Sequence, residues 1–256
     1  MTQTLVQYAA DGAVARLTLD SPHNRNALSS TLVRQLRDGL TRAATDSAVR
    51  AVVLGHTGGT FCAGADLSEA TGGDPQEAAA GRAHELATLL RAIVECPKAV
   101  IGAVDGHVRA GGMGLVGACD IVVAGARSTF ALTEARIGVA PAIISLTLLP
   151  KLSPRAAARY YLTGETFTAQ QAAEIGLVTI TAEDVGAAVD AVTADLTKAS
   201  PQGLAASKAL TTESVLAGFD RDAARLAEES ARLFVSEEAR EGMLAFLEKR
   251  PPRWAT

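Results

Sequence analysis

The chain has 256 residues, enough to bury one large core; 48% of them are hydrophobic and 20% are charged. This composition excludes the disordered and fibrous classes of protein. The net charge of -4 comes without a basic stripe, so the chain lacks the electrostatic footprint of a nucleic-acid-binding protein.

The cysteines and the N-terminus indicate the compartment. Cys62, Cys96 and Cys119 are odd in number and have no paired spacing, which predicts reduced thiols rather than a disulfide framework or a zinc site. The first twenty residues contain no basic region followed by an apolar segment. No apolar run reaches the roughly 18 residues that a membrane span requires. We therefore expect a soluble, cytoplasmic protein.

The N-terminal half alternates predicted strands and helices. Residues 4–9 and 13–19 form a predicted hairpin around the turn Asp11-Gly12, and a helix is predicted from Ser29 or Ser30 to Thr45. A short strand at 51–55 precedes the glycine-rich segment 56–66, which follows the carboxyl end of that strand, where ligands bind in open α/β sheets. After a loose stretch from Thr71 to Pro75, we predict a helix at 77–95 and a strand at 99–104.

The C-terminal half is predicted to be mostly helical. Ser153-Pro154 is typical of a helix start, and Thr168 with Gln171 forms a predicted capping box. Leu177-Val178-Thr179 separates short helices. Further helices are predicted at 184–199, 203–217, 220–234 and 237–249. This shift in composition divides the chain into an α/β core (1–200) and a helical C-terminal region (201–256).

The sequence from Gly112 to Gly117 fits the pattern G-x-G-x-x-G, which can bind a dinucleotide when it follows a strand. We reject that interpretation. The next strand-like run begins only two residues after Gly117, whereas the crossover to a parallel neighbouring strand takes a dozen or more residues.

Two glycine-rich turns, Ala63-Gly64 and Gly111-Gly112, each follow a predicted strand. Backbone N–H groups from two such turns can converge on one carbonyl oxygen and stabilise the negative charge that develops on it. A helix beginning near Gly112 would add its dipole at the same point. The spacing alone is equally typical of tight turns with a purely structural role.

Five segments together resemble the enoyl-CoA hydratase/isomerase (crotonase) family. The resemblance covers almost the whole chain, in order and at the expected spacing. The segments are Arg25-Asn26-Ala27-Leu28, residues 61–67 (FCAGADL), the second glycine turn and the helix after it from Asp105 to Ile121, residues 130–141 with FALTE, and the C-terminal helix at 241–250.

The resemblance implies a crotonase-like spiral of β-β-α repeats, with a helical C-terminal region that forms a homotrimer or a hexamer built as a dimer of trimers. It implies an acyl-CoA thioester as substrate. The amides of Ala63 and Gly111 would hold the thioester oxygen, and Glu134 would move the proton. The residues implied to line the path of CoA are Arg25, Ala27, Ala65, Asp66 and Leu67, with Lys249 reaching the phosphates bound by a neighbouring subunit.

The sequence departs from the family where the chemistry is decided. Hydratases of this family usually carry a second glutamate at the position of Gly114. Reversible hydration of a 2-enoyl-CoA is the reaction we expect, with Glu134 as the remaining acid and base. The alternatives are isomerisation of a 3-enoyl-CoA to a 2-enoyl-CoA, dehydration of a carboxylated hydroxyacyl-CoA held by Arg109, and a non-catalytic acyl-CoA-binding protein. No metal or redox cofactor, nucleic acid or membrane partner is implied.

Overall fold

The computed structural model describes residues 3–69 and 74–255, apart from the side chain of Leu67. The strands in these residues are β1 (Val6–Asp11), β2 (Val14–Leu19), β3 (Ala51–His56), β4 (Thr60–Cys62), β5 (Ala99–Val104), β6 (His107–Arg109), β7 (Ile121–Gly125), β8 (Thr129–Ala131), β9 (Phe167–Thr168) and β10 (Ile180–Ala182). The α-helices are α1 (Ser30–Thr45), α2 (Pro75–Glu95), α3 (Gly111–Ala118), α4 (Ser145–Leu148), α5 (Pro154–Thr163), α6 (Ala169–Glu174), α7 (Val185–Thr197), α8 (Pro201–Phe234) and α9 (Glu237–Leu247).

The strands form two sheets. The larger has the order β1-β2-β3-β5-β7-β10, with an antiparallel β1-β2 hairpin and parallel pairing elsewhere. The smaller has the order β4-β6-β8-β9, in which only β9 is antiparallel. Successive pairs, β3 and β4, β5 and β6, β7 and β8, each place their first strand in the larger sheet and their second in the smaller. The predicted spiral of β-β-α repeats is therefore confirmed.

The central strands of the larger sheet are buried on both faces, which explains their continuous apolar sequences. Val52 and Leu54 of β3 point into the main core. Ala51 and Val53 point to the opposite face, where α7 covers them with Val189. The turns that follow β4 and β6 of the smaller sheet come together, because a Cβ added to Gly64 would lie 2.8 Å from the Cβ of Ala110.

Most predicted elements agree with the structure within two residues. The N-cap of α1 is Ser29, whose hydroxyl accepts a hydrogen bond from the amide of Leu32 at 3.2 Å, and the capping box of Thr168 and Gln171 is formed. The start of α2 was placed too late, because Asp74 caps this helix and Pro75 is its first residue. Residues 71–73 of the stretch predicted to be loose lie outside the described residues.

The predicted break between 217 and 220 is wrong, because α8 is one helix of 34 residues. Gly218 lies in its interior, where glycine costs about 1 kcal/mol relative to alanine. The flanking side chains of Val215 and Phe219 are buried against the core, and this burial outweighs the propensity of one glycine. The strand β10 and the three-residue strands of the smaller sheet were not predicted, since so few residues show no periodicity.

The division of the chain near residue 200 stays a prediction, although α8 does begin at Pro201 and lies along α2. In residues 3–69 and 74–255, every helix is too short or too polar to cross a lipid bilayer.

Candidate active site

A cavity of about 490 Å³ opens where the two glycine-rich turns meet the segment after β8. Its walls combine backbone from both turns with apolar side chains, and Glu134 projects into it. The residues that matter most for its chemistry are Ala65, Ala110, Gly111, Thr133 and Glu134, and its apolar walls include Leu28, Val33, Leu86, Val139, Ile143 and Ile144. Such a pocket suits a ligand that is largely apolar and carries one polar reacting group.

The first turn follows β4 and is held almost entirely by backbone hydrogen bonds to residues 25–28. The amide of Ala63 donates to the carbonyl of Arg25 at 3.1 Å, the carbonyl of Gly64 accepts from Leu28 at 2.7 Å, and the amide of Asp66 donates to Leu28 at 3.3 Å. Gly64 adopts a φ of +97°, and an added Cβ would lie 2.8 Å from the Cβ of Ala110. Only glycine fits this position.

These hydrogen bonds do not use the backbone N–H of Ala65. Within the described part of the chain, the N–H of Ala65 has no hydrogen-bond acceptor, and Ala65 lines the cavity. The N–H of Ala63 is used by Arg25, so it is not available to a ligand. The expected pair of amides from Ala63 and Gly111 therefore needs correction: Ala65 takes the place of Ala63. Residues 64–66 pair with Leu28 as in a β-bridge, in which successive residues point in opposite directions. Because Gly64 and Asp66 bond to Leu28, the amide of Ala65 points away from Leu28.

The second turn links β6 to α3. Ala110 has φ +46° and ψ -121°, a conformation that alanine rarely adopts, and the cost of such strain is about 1–3 kcal/mol. Its amide donates to Ala131 at 3.2 Å and its carbonyl accepts from Met113 at 2.8 Å, which holds the strained residue in place. The reversal presents the first amide of α3, that of Gly111, to the cavity together with the positive end of the helix dipole.

The two turns are in contact. A Cβ added to Gly111 would lie 3.8 Å from the nitrogen of Ala65 and 3.6 Å from the Cα of Gly64. The amides of Ala65 and Gly111 thus belong to adjacent backbone segments that face one cavity. Two free amides in this arrangement can bind one oxygen and stabilise a negative charge on it.

Glu134 is the buried carboxylate of this cavity, and the exposed residues Glu69 and Glu85 also line it. It begins a 3₁₀ turn (Glu134–Ile137), is only 8% exposed, and its Oε2 atom has no hydrogen-bond partner among the described residues. Burial raises the pKa of Glu134 to about 7, partly offset by a hydrogen bond from its own backbone amide. A carboxyl group with this pKa can both accept and return a proton near neutral pH.

The position of the missing second glutamate is not an empty gap. A Cβ added to Gly114 would lie 2.5 Å from Cγ2 of Ile144 and 3.1 Å from Cδ1 of Leu90. The carbonyl of Gly114 also accepts a hydrogen bond from Thr147 of α4 at 3.0 Å. Apolar side chains therefore fill the space that a carboxylate at this position would need.

The residues predicted to bind CoA are not all brought to the cavity. Arg25 and Ala65 line it, whereas Ala27 is buried and lies outside its walls. The carboxylate of Asp66 accepts from Ser68 at 2.7 Å and from Asn24 at 3.0 Å, so it stabilises the turn. The side chain of Leu67 lies outside the described residues. Lys249 is exposed and follows the end of α9, in a left-handed conformation with φ 55°, rather than on the helix as predicted.

Arg109 lines the cavity, but its guanidinium is directed to the backbone. It donates to the carbonyls of Val108 and Thr129, both at 2.8 Å, and to the Thr129 hydroxyl at 2.9 Å. Burial lowers the pKa of Arg109. A distal carboxylate of a ligand would have to compete with three existing hydrogen bonds. Burial also raises the pKa values of Cys62 and Cys119 to about 12, so both thiols are poor nucleophiles near neutral pH.

Several cavity residues were missed by the sequence analysis. Phe234 at the end of α8 and Phe246 of α9 line the cavity from the C-terminal helices, and Ile144 fills the space beside Gly114. Because these side chains are apolar, the sequence indicates that they are buried but not where. They line one cavity only because the fold brings their segments together. Within the described part of the chain, His, Cys, Asp and Glu side chains do not gather in threes as metal sites require.

The chain is similar to known proteins over nearly its whole length. The model of the family "Enoyl-CoA hydratase/isomerase" matches residues 9–256. An enoyl-CoA hydratase structure from Mycobacterium avium is 69% identical, with a TM-score of 0.93, covering 99% of this chain and 100% of that one. A "Probable enoyl-CoA hydratase" of Bacillus subtilis is 32% identical over 97% of this chain and 98% of its own length.

The 2,3-dehydroadipyl-CoA hydratase of Escherichia coli is 33% identical over 93% of this chain and 94% of its own length. These matches extend over both glycine turns, the segment of Glu134 and the C-terminal helices. The chain belongs to the enoyl-CoA hydratase/isomerase family.

Proposed function

We propose that the protein is an acyl-CoA-processing enzyme that reversibly hydrates 2-enoyl-CoA thioesters. The observation that carries this proposal is the pair of free backbone amides, Ala65 and Gly111, in the same cavity as the buried carboxyl group of Glu134. The amides bind the thioester oxygen and stabilise the enolate that forms when the substrate reacts. The names of relatives that match nearly the whole chain support hydration as the reaction.

In this reaction Glu134 performs both proton transfers. Its carboxylate takes a proton from a water molecule whose oxygen bonds to C3 of the substrate. The double bond between C2 and C3 becomes an enolate, with the negative charge on the thioester oxygen between the two amides. The carboxyl group then returns a proton to C2. A pKa near 7 suits a group that must act as a base and then as an acid.

The test uses the purified chain with crotonyl-CoA and longer 2-enoyl-CoA thioesters. We expect the ultraviolet absorbance of the enoyl thioester to fall and the product to gain one ¹⁸O atom in H₂¹⁸O. Glu134→Gln should lose at least about 100-fold in kcat while it still binds acyl-CoA. Unchanged absorbance with every substrate of the series would refute hydration. If wild type and Glu134→Gln bind acyl-CoA equally well and neither converts the substrate, the protein is a non-catalytic acyl-CoA-binding protein.

A second candidate, isomerisation of 3-enoyl-CoA to 2-enoyl-CoA, is favoured by the packing of Ile144 against Gly114. Isomerisation needs only one carboxyl group, which removes a proton from C2 and returns it to C4, while the amides hold the dienolate. Supplying a 3-enoyl-CoA in H₂¹⁸O separates the two reactions. Conversion to the conjugated thioester without ¹⁸O in the product would favour isomerisation.

Dehydration of a carboxylated hydroxyacyl-CoA has less support, because the guanidinium of Arg109 is already bonded to Val108 and Thr129. It predicts that Arg109→Ala raises KM selectively for substrates with a distal carboxylate. An equal change in KM for crotonyl-CoA would contradict it.

We also propose that the chain assembles as a homotrimer or as a dimer of trimers. The C-terminal region exposes large apolar side chains, among them Leu244, Leu247 and Trp254, which are 46%, 65% and 45% exposed in the single chain. Exposed apolar groups close together in one region are typical of a protein interface. In such an assembly the exposed Lys249 of one subunit is available to CoA phosphates bound by a neighbour.

A further inference from the structure

Asn26 has a fully buried side-chain amide that connects the backbone at Ser21 to the turn between β3 and β4. Its Oδ1 accepts a hydrogen bond from the amide of Ser21 at 2.7 Å, and its Nδ2 donates to the carbonyls of Thr57 and Thr60 at 3.0 and 2.8 Å. Every one of these partners is a main-chain group. The side chain therefore replaces missing secondary structure at the point where β4 begins.

The backbone of this segment is also unusual. Arg25 and Asn26 have φ values of 59° and 54°, so two consecutive residues other than glycine are left-handed. Such a conformation is uncommon and persists only where the surrounding structure holds it. The side-chain hydrogen bonds of Asn26 hold this conformation, together with the hydrogen bond that its backbone N–H donates to the carbonyl of Ser21 at 2.9 Å.

The left-handed pair sets the direction of the groups that orient the first glycine turn. The carbonyl of Arg25 accepts from Ala63, and the amide and carbonyl of Leu28 bond to Gly64 and Asp66. These three bonds occupy the turn on both sides of Ala65 and leave its N–H facing the cavity. Asn26 also anchors Thr60, the first residue of the strand that leads into the turn.

We propose that Asn26 is a positioning residue that aims the amide of Ala65 at the thioester oxygen. It does so without touching substrate, through the Arg25 carbonyl and the Ala63 amide. The inference rests on the proposed function, because it assumes that a thioester carbonyl is the group bound. Preorganised donors stabilise a developing charge only if they point at it before the reaction begins, so a small rotation of the turn is costly.

The direct test replaces Asn26 by aspartate, which has the same shape and tolerates a left-handed backbone. The change removes both N–H donors and leaves the carbonyls of Thr57 and Thr60 facing a carboxyl group. We expect kcat to fall by about 10- to 100-fold, with KM changed less than about threefold, because binding of the CoA part is left intact. The infrared band of a bound, ¹³C-labelled thioester carbonyl should lie closer to its position in water in Asn26→Asp than it does in the wild type.

Gln35→Glu is the matched control. Gln35 is also an amide side chain that joins backbone groups: it accepts from Leu5 and Val6 at 2.7 and 3.0 Å and donates to Gln3 at 2.8 Å. These groups lie away from the glycine turns. Its variant should lose thermal stability and keep the wild-type carbonyl band and kcat. Asn26→Gly, which keeps the left-handed freedom and removes the side chain, should reproduce the defect of Asn26→Asp.

The outcomes separate the inference from the proposed reaction. Folded Asn26 variants with a wild-type carbonyl band and kcat would overturn the positioning role, and so would a wild-type band that does not differ from the band in water. A wild-type chain that polarises the bound carbonyl without turning over any enoyl-CoA would refute the proposed reaction alone. Loss of the polarised band in Asn26→Asp and its retention in Gln35→Glu would establish the inference.

Discussion

The carboxyl group of Glu134 is buried, and its burial has a kinetic consequence. The free enzyme must carry Glu134 as a carboxylate to remove a proton, and burial raises the pKa of that group to about 7. We therefore expect kcat/KM to rise with pH, about tenfold per unit below pH 7, and to level off above it. A pH profile from 5.5 to 9 measures this. A profile that is flat over this range would contradict it, since Glu134 would then behave as a solvated carboxyl group that is already ionised at pH 5.5.

The same burial makes Glu134 a cost to stability. Its pKa in the folded chain lies above the 4.5 of a solvated glutamate, so the unfolded chain ionises first and the folded state loses stability as pH rises from 4.5 to 7. The cost above pH 7 is about 3 kcal/mol at most. Glu134→Gln should therefore raise Tm at pH 8 and much less at pH 4.5. Equal shifts at both pH values would contradict this; Glu183→Gln, at an exposed position, is the control.

Gly114 and Ile144 should behave as a coupled pair. Gly114→Ala brings a Cβ to 2.5 Å from Cγ2 of Ile144, which costs about 1–3 kcal/mol of unfolding free energy. Ile144→Ala removes that atom, so the same substitution should cost less in its background. A double-mutant cycle measured by urea unfolding gives the coupling. Additive effects of the two changes would show that these side chains do not meet.

At the scale of the elements, α8 is fixed to the core by a buried ion pair. Lys208 lies 2.7 Å from Oδ2 of Asp120 and donates to the carbonyls of Ile93 and Lys98 at 2.9 and 3.1 Å. Lys208→Met leaves the partly buried carboxylate of Asp120 and both carbonyls without this donor, so the free energy of unfolding should fall by about 3 kcal/mol. Lys198→Met, which breaks an exposed pair with Asp195, should change urea unfolding little. Similar effects of both variants would refute the anchoring role.

The elements also show how far local signals reach. The bounds of α1 and the start of α5 were predicted almost to the residue, because capping and periodicity are local properties. The strands β4, β6 and β8 have three residues each and were not predicted. They exist because neighbouring repeats pair with them, and no short sequence contains that information.

At the scale of the whole molecule, the exposed apolar side chains of the C-terminal region predict assembly. Sedimentation velocity should give a mass that is three or six times the 26.3 kDa of one chain. Leu247→Asp puts a charge on a 65% exposed apolar position and should shift the protein towards the monomer, whereas Ala191→Asp on the exposed face of α7 should not. A wild-type monomer, or a Leu247→Asp variant with unchanged mass, would contradict the proposed interface.

The sequence by itself determined the family and, through the resemblance to that family, the fold class. The resemblance rests on motifs that can be read within a few residues of one another, such as the glycine turns and the segment of Glu134. The sequence also determined that the usual second glutamate is absent, since Gly114 can be read directly.

Only the tertiary structure decided which amide of the first turn faces the cavity and what fills the place of the second acid. The sequence analysis named Ala63, but the carbonyl of Arg25 accepts a hydrogen bond from the amide of Ala63, and the amide of Ala65 is left to the cavity. The sequence shows only that Gly114 has no carboxylate. In the folded chain, the side chain of Ile144, thirty residues later, fills the space beside Gly114. Both outcomes depend on hydrogen bonds and contacts between distant segments, and those are fixed only when the chain has packed.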